Sequence, residues 1–172
     1  MNAKRREKPI SINRARPVPT IHYLQKDSPL HRALMGMTLE RIRGFSRKYP
    51  ATDSNGDILA QWVDEDFVKP DPKTVLFVAE RDGKIVAHFF GAIMKNDLAG
   101  GKLYLHLLQW EMDRNHGLPR DLEMAVWEQM MEWGRIHNAE WVSLECDNPK
   151  LCDRYEKEYG FTPRRIVMRR EL

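Results

Sequence analysis

The segment Thr74–Ile93, TVLFVAERDGKIVAHFFGAI, constrains the fold more than any other stretch. Two runs rich in β-branched and aromatic residues flank Asp82-Gly83, a dipeptide suited to the two-residue hairpin turn whose central residues take positive φ. An antiparallel strand pair is therefore expected here. A further run, KLYLHLLQWEM from Lys102 to Met112, alternates with Tyr104, His106 and Leu108 on one face and Leu103, Leu105 and Leu107 on the other. Apolar groups on both faces imply a central strand, covered above and below.

The covering elements follow from caps and spacing. TIHYLQ (20–25) alternates as a first strand, and Ser28-Pro29 opens a helix with a capping side chain followed by a residue whose missing N–H costs nothing there. That helix carries Leu30, Leu34, Met37 and Ile42 and is expected to fade near Gly44. After the Asn55–Asp57 turn, Asp57 is placed to cap a short helix holding Leu59, Trp62 and Phe67. DLEMAVWEQMMEWGRIH (121–137) puts Leu122, Val126, Met130 and Trp133 on one stripe, so it is a helix with a buried face. WVSLEC is a further strand. Asn148-Pro149 repeats the cap-and-proline start, PKLCDRYEKEY ends at the helix-stop glycine Gly160, and FTPRRIVMRREL closes as a strand. Hairpin strands together with a strand–helix–strand crossover imply an α/β mixed sheet with helices on both faces.

Charge separates the chain into two parts. Residues 1–19 carry six Lys or Arg against Glu7, hence +5, so the remainder of a chain of net charge +3 is −2. With prolines at 9, 17 and 19 and few large apolar groups, 1–19 is expected to be an extended basic arm, leaving 20–172 as one domain. Clustered cations suit docking to nucleic acid or to a larger protein assembly, although no aromatic is interleaved for base stacking. A solvated tail explains the same residues. The two cysteines, Cys146 and Cys152, are too few for a disulfide framework, and the six histidines show no metal-ligand spacing, so no metal is expected. No membrane span and no secretory segment are read, and the default expectation is a cytoplasmic protein.

The ending NPKLCDRYEKEYGF resembles the closing motif of the GNAT superfamily, the GCN5-related N-acetyltransferases, and the order of elements agrees from about Thr20 onward. The resemblance implies two splayed central parallel strands with acetyl-CoA entering the gap, its diphosphate lying against the turn before the long helix. It also implies an Asn near the cofactor and a Tyr that protonates the leaving thiolate. Asn148 and Tyr155 stand seven apart, which puts both on one helix face. Capping alone explains Asn148, and packing alone explains Tyr155.

The turn DRNHGLPRDLE (113–123) precedes the long helix, where free N–H groups and the helix dipole favour an anion. Two registers against the family pattern stay open. In one, Arg114 and Gly117 match the motif and Pro119 removes one donor. In the other, Pro119, Asp121 and Glu123 replace glycine-type positions and bring carboxylates toward the diphosphate. Acids in a first helical turn also complement the dipole without any ligand. For a general base, His106, Glu111 and Glu145 lie on or beside the splayed strands. Two functions follow from the resemblance. One is an acyl-CoA-dependent N-acyltransferase acting on an unidentified amine, with Tyr155 as acid and Arg114, Gly117 and Asn148 at the cofactor. The other is a non-catalytic GNAT-fold module docked through residues 1–19; since such chains occur in bacteriophages, it extends to a virion or assembly component.

Overall fold

The computed structural model describes residues 17–48, 55–112, 118–146 and 149–163. Its elements are β1 (Thr20–Tyr23), α1 (Pro29–Lys48), α2 (Gly56–Phe67), β2 (Thr74–Arg81) and β3 (Lys84–Asn96), then β4 (Lys102–Met112), α3 (Arg120–Ile136), β5 (Trp141–Leu144) and α4 (Pro149–Tyr159), with one 3-10 turn at Asp97–Ala99. The described strands form one sheet in the order β1-β2-β3-β4-β5, antiparallel throughout except for the parallel β4–β5 pair. Asp82 and Gly83 take φ of 53° and 73°, so the hairpin turn is of the expected positive-φ kind.

Two cores flank the sheet. On one face α1 and α2 pack Leu34, Met35, Leu39, Ile42 and Val63 against Leu76, Val78 and Phe90. On the other, α3 packs Val126, Met130 and Trp133 against Phe77, Phe89 and Leu105. No described helix is long and apolar enough to cross a membrane.

Several local expectations change. Helix α1 continues through Gly44 to Lys48, and its buried stripe is Leu34, Met35, Thr38, Leu39 and Ile42, while Leu30 and Met37 face solvent. A helix-interior glycine costs about 1 kcal/mol, which a packed stripe of that size outweighs. Ser28 does open α1, its Oγ accepting from the His31 N–H. Asn55, not Asp57, caps α2, its Oδ1 accepting from the Asp57 and Ile58 N–H groups. Pro119 is the N-cap of α3, which begins at Arg120, one residue before the expected Asp121. Of the expected last strand, Phe161–Pro163 are not in a strand and 164–172 lie outside the described residues, as do 1–16 of the basic arm.

A β-bulge matters most for function. Phe90 pairs with Gln109 but Gly91 pairs with Leu107, leaving Leu108 as the extra residue of β4. The face alternation read from the sequence therefore reverses at Leu108. Trp110 and Met112 join the α3 side, and Gln109 and Glu111 turn toward α1. Gly91 sits opposite the bulge, where a Cβ would lie 3.0 Å from Leu105 Cδ1 and 3.2 Å from the His106 carbonyl.

A candidate active site where two parallel strands part

The parallel ladder runs only from Tyr104–Leu107 against Trp141–Leu144. Strand β4 continues to Met112 while β5 stops, so beyond the bulge the β4 backbone has no described strand partner on that side. A bulge bends and twists its strand, which is the physical reason the two strands separate here. Among the described residues, the backbone of Leu108–Met112 has no ladder partner on the β5 side of this gap.

Helix α4 lies beside this gap on the α3 side. Cys152 donates through its thiol to the Cys146 carbonyl at 3.4 Å, tying the first turns of α4 to the end of β5. Tyr155 follows one turn on, half-buried, its ring against Tyr159 and Phe161. Burial, with a smaller contribution from Cys146, pushes its hydroxyl up to about 12. Gly160 takes φ of 71° and the Phe161 N–H bonds back to the Tyr155 carbonyl at 3.2 Å, which stops the helix. Trp110, from the part of β4 beyond the parallel ladder, stands edge-on to Trp127 of α3 and Tyr159 of α4, with ring centroids 5.8 and 6.2 Å away.

At the start of α3 an unexpected group is buried. Glu123 is 4% exposed, and its two oxygens accept from Arg154 Nη2 at 3.0 and 2.8 Å. Tyr159 donates its hydroxyl to Glu123 at 2.6 Å, and Arg120 Nη1 approaches Glu123 at 3.3 Å and Tyr159 Oη at 2.7 Å. Glu158 completes the set, within 2.8 Å of Arg120 and 3.0 Å of Arg154. Burial pulls the Arg154 pKa down, but the bond to Glu158 and the charge of Glu123 outweigh it and the net shift is upward. Burial and the Glu123 bond push the Tyr159 hydroxyl up to about 12.

The opposite face of the gap carries the candidate bases. His106 pairs across the ladder with Ser143, its Nδ1 2.8 Å from Ser143 Oγ. Burial lowers its pKa, against smaller raising effects of Glu145 and Ser143, so the ring is neutral at pH 7. Glu111 lies in a buried polar cluster instead, 3.2 Å from Arg41 Nη2 and 3.4 Å from His88 Nδ1, with His88 Nε2 2.8 Å from Gln109 Oε1.

Of the residues singled out in the sequence, Tyr155 and His106 flank the gap, while Arg114, Gly117 and Asn148 lie outside the described residues. Asp121 is exposed on α3, and Glu123 is turned inward. Arg154, Tyr159 and Arg120 were not anticipated. The available signal was the i, i+3 spacing of Arg120 and Glu123 and the i, i+4 spacing of Arg154 and Glu158, which by themselves read as surface pairs.

No protein-family model matches the chain, and no curated protein matches its sequence. Solved structures do. A Trypanosoma brucei acetyltransferase aligns at 20% identity over 90% of this chain and 99% of its own, with a TM-score of 0.58. Glucosamine-6-phosphate N-acetyltransferase from Arabidopsis thaliana aligns at 20% identity over 90% and 99%, with a TM-score of 0.59. A predicted acetyltransferase from Clostridium acetobutylicum, solved with acetyl-CoA, aligns at 14% identity over 88% and 96%, with a TM-score of 0.62.

Proposed function

From a chain with the fold of the GNAT acetyltransferases, we propose an acyl-CoA-dependent N-acyltransferase whose reacting centre is the gap beyond Leu107 and Leu144. The observation that carries this reading is the early end of the β4–β5 ladder at a bulge, with Tyr155 of α4 on one side and His106 on the other. An acyl-CoA carries an amide-bearing arm joined through a diphosphate to a phosphorylated adenosine. The backbone of Leu108–Met112 suits the amides, since an extended chain adds to a free strand edge through main-chain hydrogen bonds. Arg120, Arg154 and the N-terminus of α3 suit the diphosphate. The turn residues Arg114 and Gly117, with Asn148, belong to the same proposal.

When bound, the acyl-CoA would supply an acyl group activated as a thioester. His106, neutral at pH 7, takes a proton from the attacking amine, and its bond to Ser143 holds the ring in place. Tyr155 keeps its proton to high pH and delivers it to the departing sulfur. The aromatic wall of Trp110, Trp127 and Tyr159 excludes water from the α3 side of the gap. The test is release of free thiol from acetyl-CoA in the presence of a panel of amines. Turnover that falls in Tyr155→Phe and His106→Gln supports the reading; none with any amine in the wild type refutes it.

A second reading is supported by Glu123. Its carboxylate lies buried at the start of α3, where an anionic cofactor would be held. On that reading the chain is a non-catalytic module, and the basic residues 1–19 dock it to a protein assembly, such as a phage virion, or to nucleic acid. Deleting 1–19 tests it: partner binding that persists unchanged refutes docking through the arm.

A further inference from the structure

Two guanidinium groups and a phenol converge on one carboxylate at the first turn of α3. Arg154 reaches both oxygens of Glu123, and Arg120 and the Tyr159 hydroxyl complete the shell. This donor set matches what a phosphate oxygen requires: forked cations, a hydroxyl and a helix N-terminus. Two of the donors come from α4, so the contact also clasps α4 onto α3. Trp110 and Trp127 pack against Tyr159 in the same bridge.

The charges are already balanced. Arg120 and Arg154 face Glu123 and Glu158, giving two positive and two negative groups. Within this group of four described side chains, an incoming anion therefore meets no unbalanced positive charge while Glu123 stays in place. Buried Glu123 is held far more firmly than Glu158, whose side chain is 41% exposed. A water-accessible anion reaching Arg154 Nη2 and Arg120 Nη1 competes with Glu123 for those same donors.

We infer that Glu123 is the built-in occupant of an anion site, and that a diphosphate-bearing ligand must displace it from Arg120 and Arg154 before it can bind. The diphosphate as ligand rests on the acyltransferase reading; the competition itself does not. Displacement loosens the clasp between α3 and α4, so ligand entry and movement of Tyr159 and Trp110 are one event.

The probes are inorganic pyrophosphate and coenzyme A, titrated by calorimetry into the full chain and into Glu123→Gln, which keeps the side-chain shape and removes the charge. The inference predicts that Glu123→Gln binds pyrophosphate at least about tenfold more tightly than the wild type. It also predicts that the gain shrinks as salt rises and disappears when Arg154→Ala is added. Equal affinities, or binding by neither protein while near-ultraviolet dichroism reports both folded, overturn it. If Glu123→Gln fails to fold, Glu158→Gln reads the same competition through the exposed partner of both arginines, with a gain of about threefold expected and no gain contradicting it. Coenzyme A that binds the wild type tightly and Glu123→Gln no better overturns the inference and leaves the acyltransferase reading standing. Coenzyme A that binds only Glu123→Gln sustains the inference and removes that reading for the native chain.

Discussion

Replacing Glu123 by Ala removes two contacts with Arg154, one with Arg120 and the hydroxyl bond from Tyr159. An exposed ion pair contributes about 0–1 kcal/mol, whereas losing one partner of a buried pair costs about 3–5 kcal/mol. This pair falls between, because Glu123 is 5% exposed at its side chain while Arg154 is 33% exposed and retains Glu158. The expected loss for Glu123→Ala is about 2–3 kcal/mol, and the expected coupling between Glu123 and Arg154 about 1–2 kcal/mol. For a chain of this size each kcal/mol moves Tm by about 2–4 °C, so the variant should melt about 4–12 °C lower. Urea unfolding of the wild type, Glu123→Ala, Arg154→Ala and the double variant measures the coupling through a double-mutant cycle. A coupling below about 0.3 kcal/mol would refute the claim that these two groups clasp α3 to α4.

Three further outcomes are expected. Gly91→Ala forces a Cβ against Leu105 and the His106 carbonyl, so it should destabilise by about 1–3 kcal/mol in a urea titration, and a neutral result would contradict the close approach at the bulge. The His106 pKa is lower in the folded state than its ordinary 6.5, so as pH falls the unfolded chain takes up that proton first. His106 thus makes stability decline as pH falls below about 6.5, and urea midpoints of His106→Gln should decline less steeply between pH 7 and 5. Tyr155 and Tyr159 shift the other way, from 10 to about 12, so their contribution is complete below pH 10 and lost as pH rises through about 12. Tyrosinate absorbance should show late-ionising phenols, one fewer in each of Tyr155→Phe and Tyr159→Phe.

Most of the fold was legible because it rests on local signals. The Asp82-Gly83 turn, the Ser28 cap and the apolar stripe of α3 each act over a few residues; the first two appear as read, and the stripe does so at Val126, Met130 and Trp133 but not at the partly exposed Leu122. What escaped depended on contacts distant in sequence. The bulge at Leu108 is invisible in KLYLHLLQWEM, since only the pairing with Phe90 and Gly91 reveals that one residue is extra. Because of it, period-two alternation cannot be carried past Leu108 to Gln109 and Glu111. Glu123 was read as an acid suited to a helix dipole, a local role, whereas its burial is set by Arg154 and Tyr159 more than thirty residues on. Tyr155 and His106 could be named from the sequence, but not that they flank the place where the strands separate. Two bases proposed with His106 differ in kind: Glu111 is engaged by Arg41 and His88, and Glu145 acts on the His106 charge from beside it.

The most direct measurement is the amide spectrum of the isotope-labelled protein during titration with acetyl-CoA. The gap account predicts shifts concentrated at Leu108–Met112 of β4, the end of β5 and the α4 residues around Tyr155, together with the side chains of Trp110 and Trp127. An unchanged spectrum at millimolar acetyl-CoA, or shifts confined to the far end of the sheet near β1, would contradict it.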